Sequence, residues 1–281
     1  MIFRFIIKVI IYGIFLIFLI LLGAKYNSGI VKERAFKNHQ TESNLLIINE
    51  SESFDFLLMG ISHARNFSRH SNHLRLDTLL NKSFINIGQG GGKCGANEQY
   101  FYLKYFYKNG NKTDKVVYIL SPPMLFHQIL PHASETFVEE TFEFDFFSSY
   151  LFFETENKSQ RLLSYVKSKY SINWIDFQPS SYMKKRNYLT KLDSAEVVGG
   201  FGFIPEIQSS VRFDKSKKAI ENTIQLSLNN DAECILIIPP ALFGKWQGHD
   251  KTFEFAINMQ NKYGVKVYDY SESVKDPRSY Y

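Results

Sequence analysis

Five short runs limit this chain more than any other feature: residues 54–59 in "FDFLLMG", 83–88 in "SFINIG", 115–120 in "KVVYILSPP", "ECILIIPP", and "VKVYDYS" near the end. Most are nearly unbroken apolar stretches, too short for core helices and without the alternation of a half-exposed strand. Glycine or proline closes the first four. Between them lie segments with helical spacing. "NEQYFYLKYFYKNG" sets Tyr100, Leu103 and Phe106 on one face and stops at Gly110. "DKSKKAIENTIQLSL" has Asp214 as N-cap, with Ile220, Ile224 and Leu228 on one face, and "DKTFEFAINMQNKYG" runs from a capping Asp250 to Gly264. Buried strands alternating with amphipathic helices predict an α/β fold: a three-layer α/β/α sandwich around a mostly parallel five-stranded sheet. Residues 122–213 break the rhythm with aromatic and acidic words such as "ETFEFDFFSSYLFFE". They read as a partly helical insertion over the C-terminal edge of the sheet, where such folds bind ligands.

The N-terminus predicts a membrane anchor. Arg4 and Lys8 are followed by apolar residues without interruption, and residues 5–24 reach the ~20 needed to cross a bilayer. A cleaved signal peptide is the competing reading. Its processing site wants small residues at both ends of an A-x-A pattern, and Leu22-Gly23-Ala24 has a large residue at the first. An uncleaved anchor over residues 1–24 is therefore expected, with a polar stalk over 25–53 and the main domain over 54–281. Positive charge ahead of the span puts the N-terminus in the cytoplasm and the domain outside it, periplasmic or extracellular, on a single-pass protein of the cytoplasmic membrane.

Composition excludes other classes. The net charge is +5, and the lysines are scattered among acids and aromatics, so no nucleic-acid partner is expected. Cys94 and Cys234 are too few for a disulfide framework and lack metal-ligand spacing; neither metal nor cofactor is expected. Cys94 reads as a buried filler.

The chemistry gathers where strands end. Gly60-Ile61-Ser62-His63 follows the first strand, Gly88-Gln89-Gly90-Gly91-Gly92 the second, and Ser121-Pro122-Pro123 the third. A serine at a strand-to-helix turn has an exposed hydroxyl with backbone N–H groups beside it, and a glycine loop next to it lets substrate approach the backbone. That suits acyl transfer, in which the serine attacks an ester carbonyl and a base takes its proton.

On the words "DFLLMGISHARN", "INIGQGGG", "VVYILSPP" and "ILIIPP…VKVYDYS", over about residues 54–281, the chain resembles the SGNH/GDSL hydrolase superfamily, in its membrane-anchored cell-envelope branch. The resemblance implies strand order 2-1-3-4-5. It also implies an esterase or O-acyltransferase acting on an acylated cell-envelope glycan or polymer. Ser62 matches the nucleophile, and Gly90 or Gly88 the oxyanion donor. Ser121 stands where the third block falls, without that block's asparagine. Arg65 reads as a residue contacting an anion or positioning the helix. The closing Asp-x-x-His, which supplies the family's base, has no counterpart. The expectation is thus a C-terminally truncated enzyme with little activity as these 281 residues; the alternative is a non-catalytic binding or scaffold protein of the same fold. His249, in "GKWQGHD" after the fourth strand, is the first substitute base. His63, His70, His73, His127 and His132 read as surface or structural.

Two other motifs fail. Gly60-Ile61-Ser62-His63-Ala64 approaches the G-x-S-x-G elbow, but that elbow normally follows several strands. Gly90-Gly91-Gly92-Lys93-Cys94-Gly95 fits G-x-G-x-x-G, yet the next strand runs into Ser121 without the required acid.

Overall fold

The computed structural model describes residues 2–35, 51–67, 72–88, 94–126, 136–138, 140–171, 210–241, 245–246 and 248–273. Gly90, His70, His127 and His132 lie outside them, as do much of the insertion and the last eight residues.

The five runs form β1 (Ser53–Gly60), β2 (Phe84–Asn86), β3 (Lys112–Ile119), β4 (Glu233–Ile238) and β5 (Lys266–Asp269). All pair in parallel, in the order β2-β1-β3-β4-β5. Helix α1 (Ile2–Ala35) precedes the sheet. Between β1 and β2 lie α2 (Ser62–Arg65) and α3 (Asn72–Leu80). Then come α4 (Ala96–Lys108) before β3, and α5 (Pro122–Phe126), α6 (Phe144–Leu151), α7 (Lys158–Ser168) and α8 (Ser210–Leu228) between β3 and β4; α9 (His249–Tyr263) leads to β5. Helices cover both sides of the sheet.

Alternation along each strand sends residues to two faces. Leu57, Met59, Val116, Tyr118, Cys234 and Leu236 point into a large core with Phe101, Leu103 and Phe106 of α4, Ile220 and Ile224 of α8, and Phe255, Ala256 and Met259 of α9. Val117 and Ile119 face the other way, beside Ala64 of α2 and the partly buried Phe56, Leu58, Ile235 and Ile237.

Two expectations change. Helix α8 starts at Ser210, four residues before the expected cap, and Asp214 instead pairs with Lys217 at 2.9 Å. Helix α9 is entered through Gly248, at φ 80°, so Asp250 sits in its first turn and not at its cap. Within the insertion, α6 and α7 pack on α4, whereas α5 packs against α8 and α9. Phe137, Phe146, Tyr150 and Phe153 ring Phe101, with centroids 4.8–6.4 Å away. Beneath these rings the buried Arg161 bridges Glu98 at 3.2 Å and Thr136 at 2.9 Å. Burial raises the Glu98 carboxyl to about 7 against the pull of Arg161.

Candidate functional site

Register sets the site. Gly60 pairs with Ile119, and Ile119 with Ile237, so β1, β3 and β4 end at one level. Gly60 turns the chain there at φ 136°, and a Cβ would lie 2.8 Å from the Ile119 carbonyl oxygen. Only glycine fits both the angle and the space. Two residues later Ser62 opens α2, a single turn, with its side chain exposed; its hydroxyl makes no hydrogen bond among the described residues.

Two buried carboxamides that the sequence reading did not single out brace this turn. Asn86, the last residue of β2, donates to the Ala64 carbonyl at 2.7 Å and accepts from the Gly88 N–H at 2.8 Å. Gln99 of α4 accepts from the Gly60 N–H at 2.8 Å and donates to the Ile87 carbonyl at 3.1 Å. Together they lock the end of β1 to the loop after β2. A polar residue inside an apolar strand was the available signal for Asn86. For Gln99 it was a polar side chain in line with the apolar face of α4.

The glycine loop lies against the serine turn: a Cβ on Gly88 would come 2.6 Å from Ala64 Cβ and 3.1 Å from the Arg65 nitrogen. The Gly88 N–H is already given to Asn86, however, and is not open to an oxyanion. Arg65 is half-buried one turn from Ser62. Ser121, two residues past the end of β3, is wholly buried, with its Oγ unpaired among the described residues, and faces no solvent. An open groove of about 310 Å³ begins directly after α2, lined by Asn66, Phe67, Asn72, Arg75, Leu76 and Leu79.

The histidines divide. His63 packs edge-on against Trp246 at 5.1 Å, and Trp246 donates to the Pro239 carbonyl at 2.9 Å, so the loop after β4 leans onto the serine turn. Burial pushes the His63 imidazole down to about 4, leaving it neutral at pH 7. His249, the first residue of α9, is buried. Its Nε2 lies 2.7 Å from Asp269 and 3.2 Å from the Ser271 hydroxyl, and its Nδ1 lies 3.1 Å from Asp250. Burial raises the Asp269 carboxyl, but bonds from the Ser271 N–H and hydroxyl and from His249 more than offset this and bring it down. No histidine hydrogen-bonds to Ser62 among the described residues. Cys94 is buried, and burial drives its thiol well above the ordinary value, so no thiolate nucleophile forms there.

No protein-family model and no curated protein matches the chain. Among solved structures, one described as a "putative acylhydrolase" from Bacteroides fragilis NCTC 9343 aligns over 87% of this chain and 80% of its own, at 12% identity and TM-score 0.33. At that identity and score the likeness lends no weight to a function.

The serine and the brace of Asn86 and Gln99 thus come together at one edge, and the groove starts four residues on, at Asn66. Ser121 is sealed from solvent, and His249 is bound to Asp250, Asp269 and Ser271.

Proposed function

We propose that the chain is a membrane-anchored esterase or O-acyltransferase of SGNH type. Ser62 is its nucleophile, and its substrate is an acylated cell-envelope glycan or polymer outside the cytoplasm. The exposed Ser62 hydroxyl, held over a turn only glycine can make, carries this reading. Ser62 Oγ attacks the ester carbonyl carbon, the bond to the alcohol breaks, and the acyl group passes to Ser62 and then to water or a second hydroxyl. Arg65 and the groove along α3 supply contacts for the substrate, and Gly90 is the proposed oxyanion donor. General-base help contributes about 10²–10⁴-fold. With both nitrogens of His249 engaged elsewhere, turnover of a small aryl ester by these 281 residues is expected to be slow.

The test is capture of Ser62 by a fluorophosphonate, mapped by mass spectrometry on the full chain in detergent. An adduct on Ser62 that disappears in Ser62→Ala supports the proposal. Labelling confined to another residue refutes it. That no base is bonded to Ser62 among the described residues favours a second reading, a non-catalytic envelope binder using the same groove. That reading predicts retention of an acylated glycan with its acyl groups intact and no Ser62 adduct. For topology, a reporter active only outside the cytoplasm, fused after Tyr281, should be active.

A further inference from the structure

The apolar helix does not simply tether the domain. Its last exposed turns run straight into the fold. Ala24 and Ser28, one turn apart, are 0% and 1% exposed, and Leu21 packs on the main core. The Ser28 hydroxyl accepts from the Phe142 N–H at 2.9 Å, and the Tyr170 phenol donates to the Ile20 carbonyl. Lys25 pairs with Glu143 at 3.1 Å and lies 5.5 Å from the centre of the Phe144 ring. The segment once read as the start of a stalk is therefore helical and partly built into the domain. The most apolar stretch of α1, by contrast, has none of its residues buried.

Helix α6, beside this junction, is apolar on both sides. Phe146 and Tyr150 are buried against α4 and α7. Phe144 and Leu151, seven residues apart and so on one stripe, are 36% and 41% exposed, and Phe152 just beyond is 87% exposed. Tyr170, which touches α1, is half exposed as well. A cluster of large exposed apolar side chains marks a contact surface. Here the neighbouring span says what it contacts. A 20-residue span at about 1.5 Å per residue crosses the ~30 Å of hydrocarbon, so residues 5–24 end where Tyr170, Lys25 and Phe144 gather. Aromatic and lysine side chains are the residues that settle at the head-group level.

We propose that the face carrying Phe144, Leu151, Phe152 and Tyr170 rests in the head-group layer of a phospholipid bilayer, clamped there by the Leu21–Ser28 part of α1. This rests on the reading of α1 as an uncleaved anchor. The mounting sets the α4 side of the sheet toward the membrane and leaves α3, on the opposite side, away from it.

The test uses the full chain reconstituted in phosphatidylcholine–phosphatidylglycerol vesicles, with a fluorophore on Phe152→Cys or, as control, on Leu79→Cys of α3, likewise apolar and largely exposed. Cys94 and Cys234 are buried, and unlabelled protein checks that they stay silent. Lipids carrying a nitroxide near the head group should quench the probe at 152 at least threefold more than the probe at 79. Equal quenching, or more at 79, overturns the proposal while leaving the anchor intact. N-terminal sequencing of the protein from cells separates the two failures: a chain beginning after residue 24 removes the anchor, and the docking with it. If Phe152→Cys fails to fold, Leu151→Cys is read in the same way.

Discussion

The two faces of the sheet are unequal. On one, Leu57, Met59, Val116, Tyr118, Cys234 and Leu236 are sealed beneath three long helices, and the aromatic insertion adds a further layer. On the other, Val117, Ile119 and Ala64 are the buried residues, while Phe56, Leu58, Ile235 and Ile237 stay partly open among the described residues. A parallel sheet ordinarily needs cover on both faces. The serine turn belongs to the lightly covered face, since Ala64, two residues after Ser62, packs there. Stability is thus concentrated on one side and the candidate chemistry on the other, the arrangement expected where a site needs freedom that a sealed core denies.

Adjacent residues of β4 offer the sharpest way to break this contrast. Leu236→Ala, on the sealed face, should cost about 2–5 kcal/mol, measured by chemical denaturation of the full chain in detergent. Gly60→Ala comes next: forcing a side chain to φ 136° against the Ile119 carbonyl should cost about 1–3 kcal/mol and abolish fluorophosphonate labelling of Ser62.

A third prediction uses protons. Glu98, under the sealed face, keeps its proton to about pH 7 when folded against an ordinary 4.5, so the folded state binds more protons between these values and stability falls as pH rises. His63, on the open face, titrates near 4 when folded against an ordinary 6.5, so the unfolded state binds more protons and stability rises with pH. The two slopes oppose each other from about pH 4.5 to 6.5. Glu98→Gln should therefore steepen the rise of Tm with pH over that window, and His63→Phe, which keeps a ring against Trp246, should turn it into a fall. A variant slope that matches the parent would show that the group does not titrate as stated. The smallest effect is expected from Ile237→Ala, under about 1 kcal/mol, because a half-exposed side chain has less burial to lose. If it matched Leu236→Ala, the two faces would not differ in kind.

Much of this was legible in the chain. Strand number and rough position follow from apolar runs closed by glycine or proline, and the order β2-β1-β3-β4-β5 is the one the resemblance implied. The exposure of Ser62 follows from its place just past Gly60. What stayed hidden depends on partners distant in sequence. Nothing near Gln99 announces a bond to Gly60, 39 residues away. Nothing near Ser28 announces one to Phe142, 114 residues away. Local signals also misled. Asp214 and Asp250 looked like helix caps, but a carboxylate serves equally well beside Lys217 or His249, and the backbone began each helix earlier. That the aromatics of α6 would gather on Phe101, Tyr102 and Tyr105 of α4 was likewise not written in either segment alone.

The continuity of α1 has a mechanical consequence. Thirty-four helical residues extend about 51 Å, well beyond the ~30 Å of hydrocarbon. A flexible leash would let the serine turn sweep a hemisphere, with a local concentration of any membrane-bound ligand that falls as the leash lengthens. A rigid post fastened at Ala24 and Ser28 instead holds Ser62 at one height above the lipid. Under the anchoring and activity proposed above, the protein would scan a plane, meeting only those ester groups that lie in a thin slab parallel to the membrane.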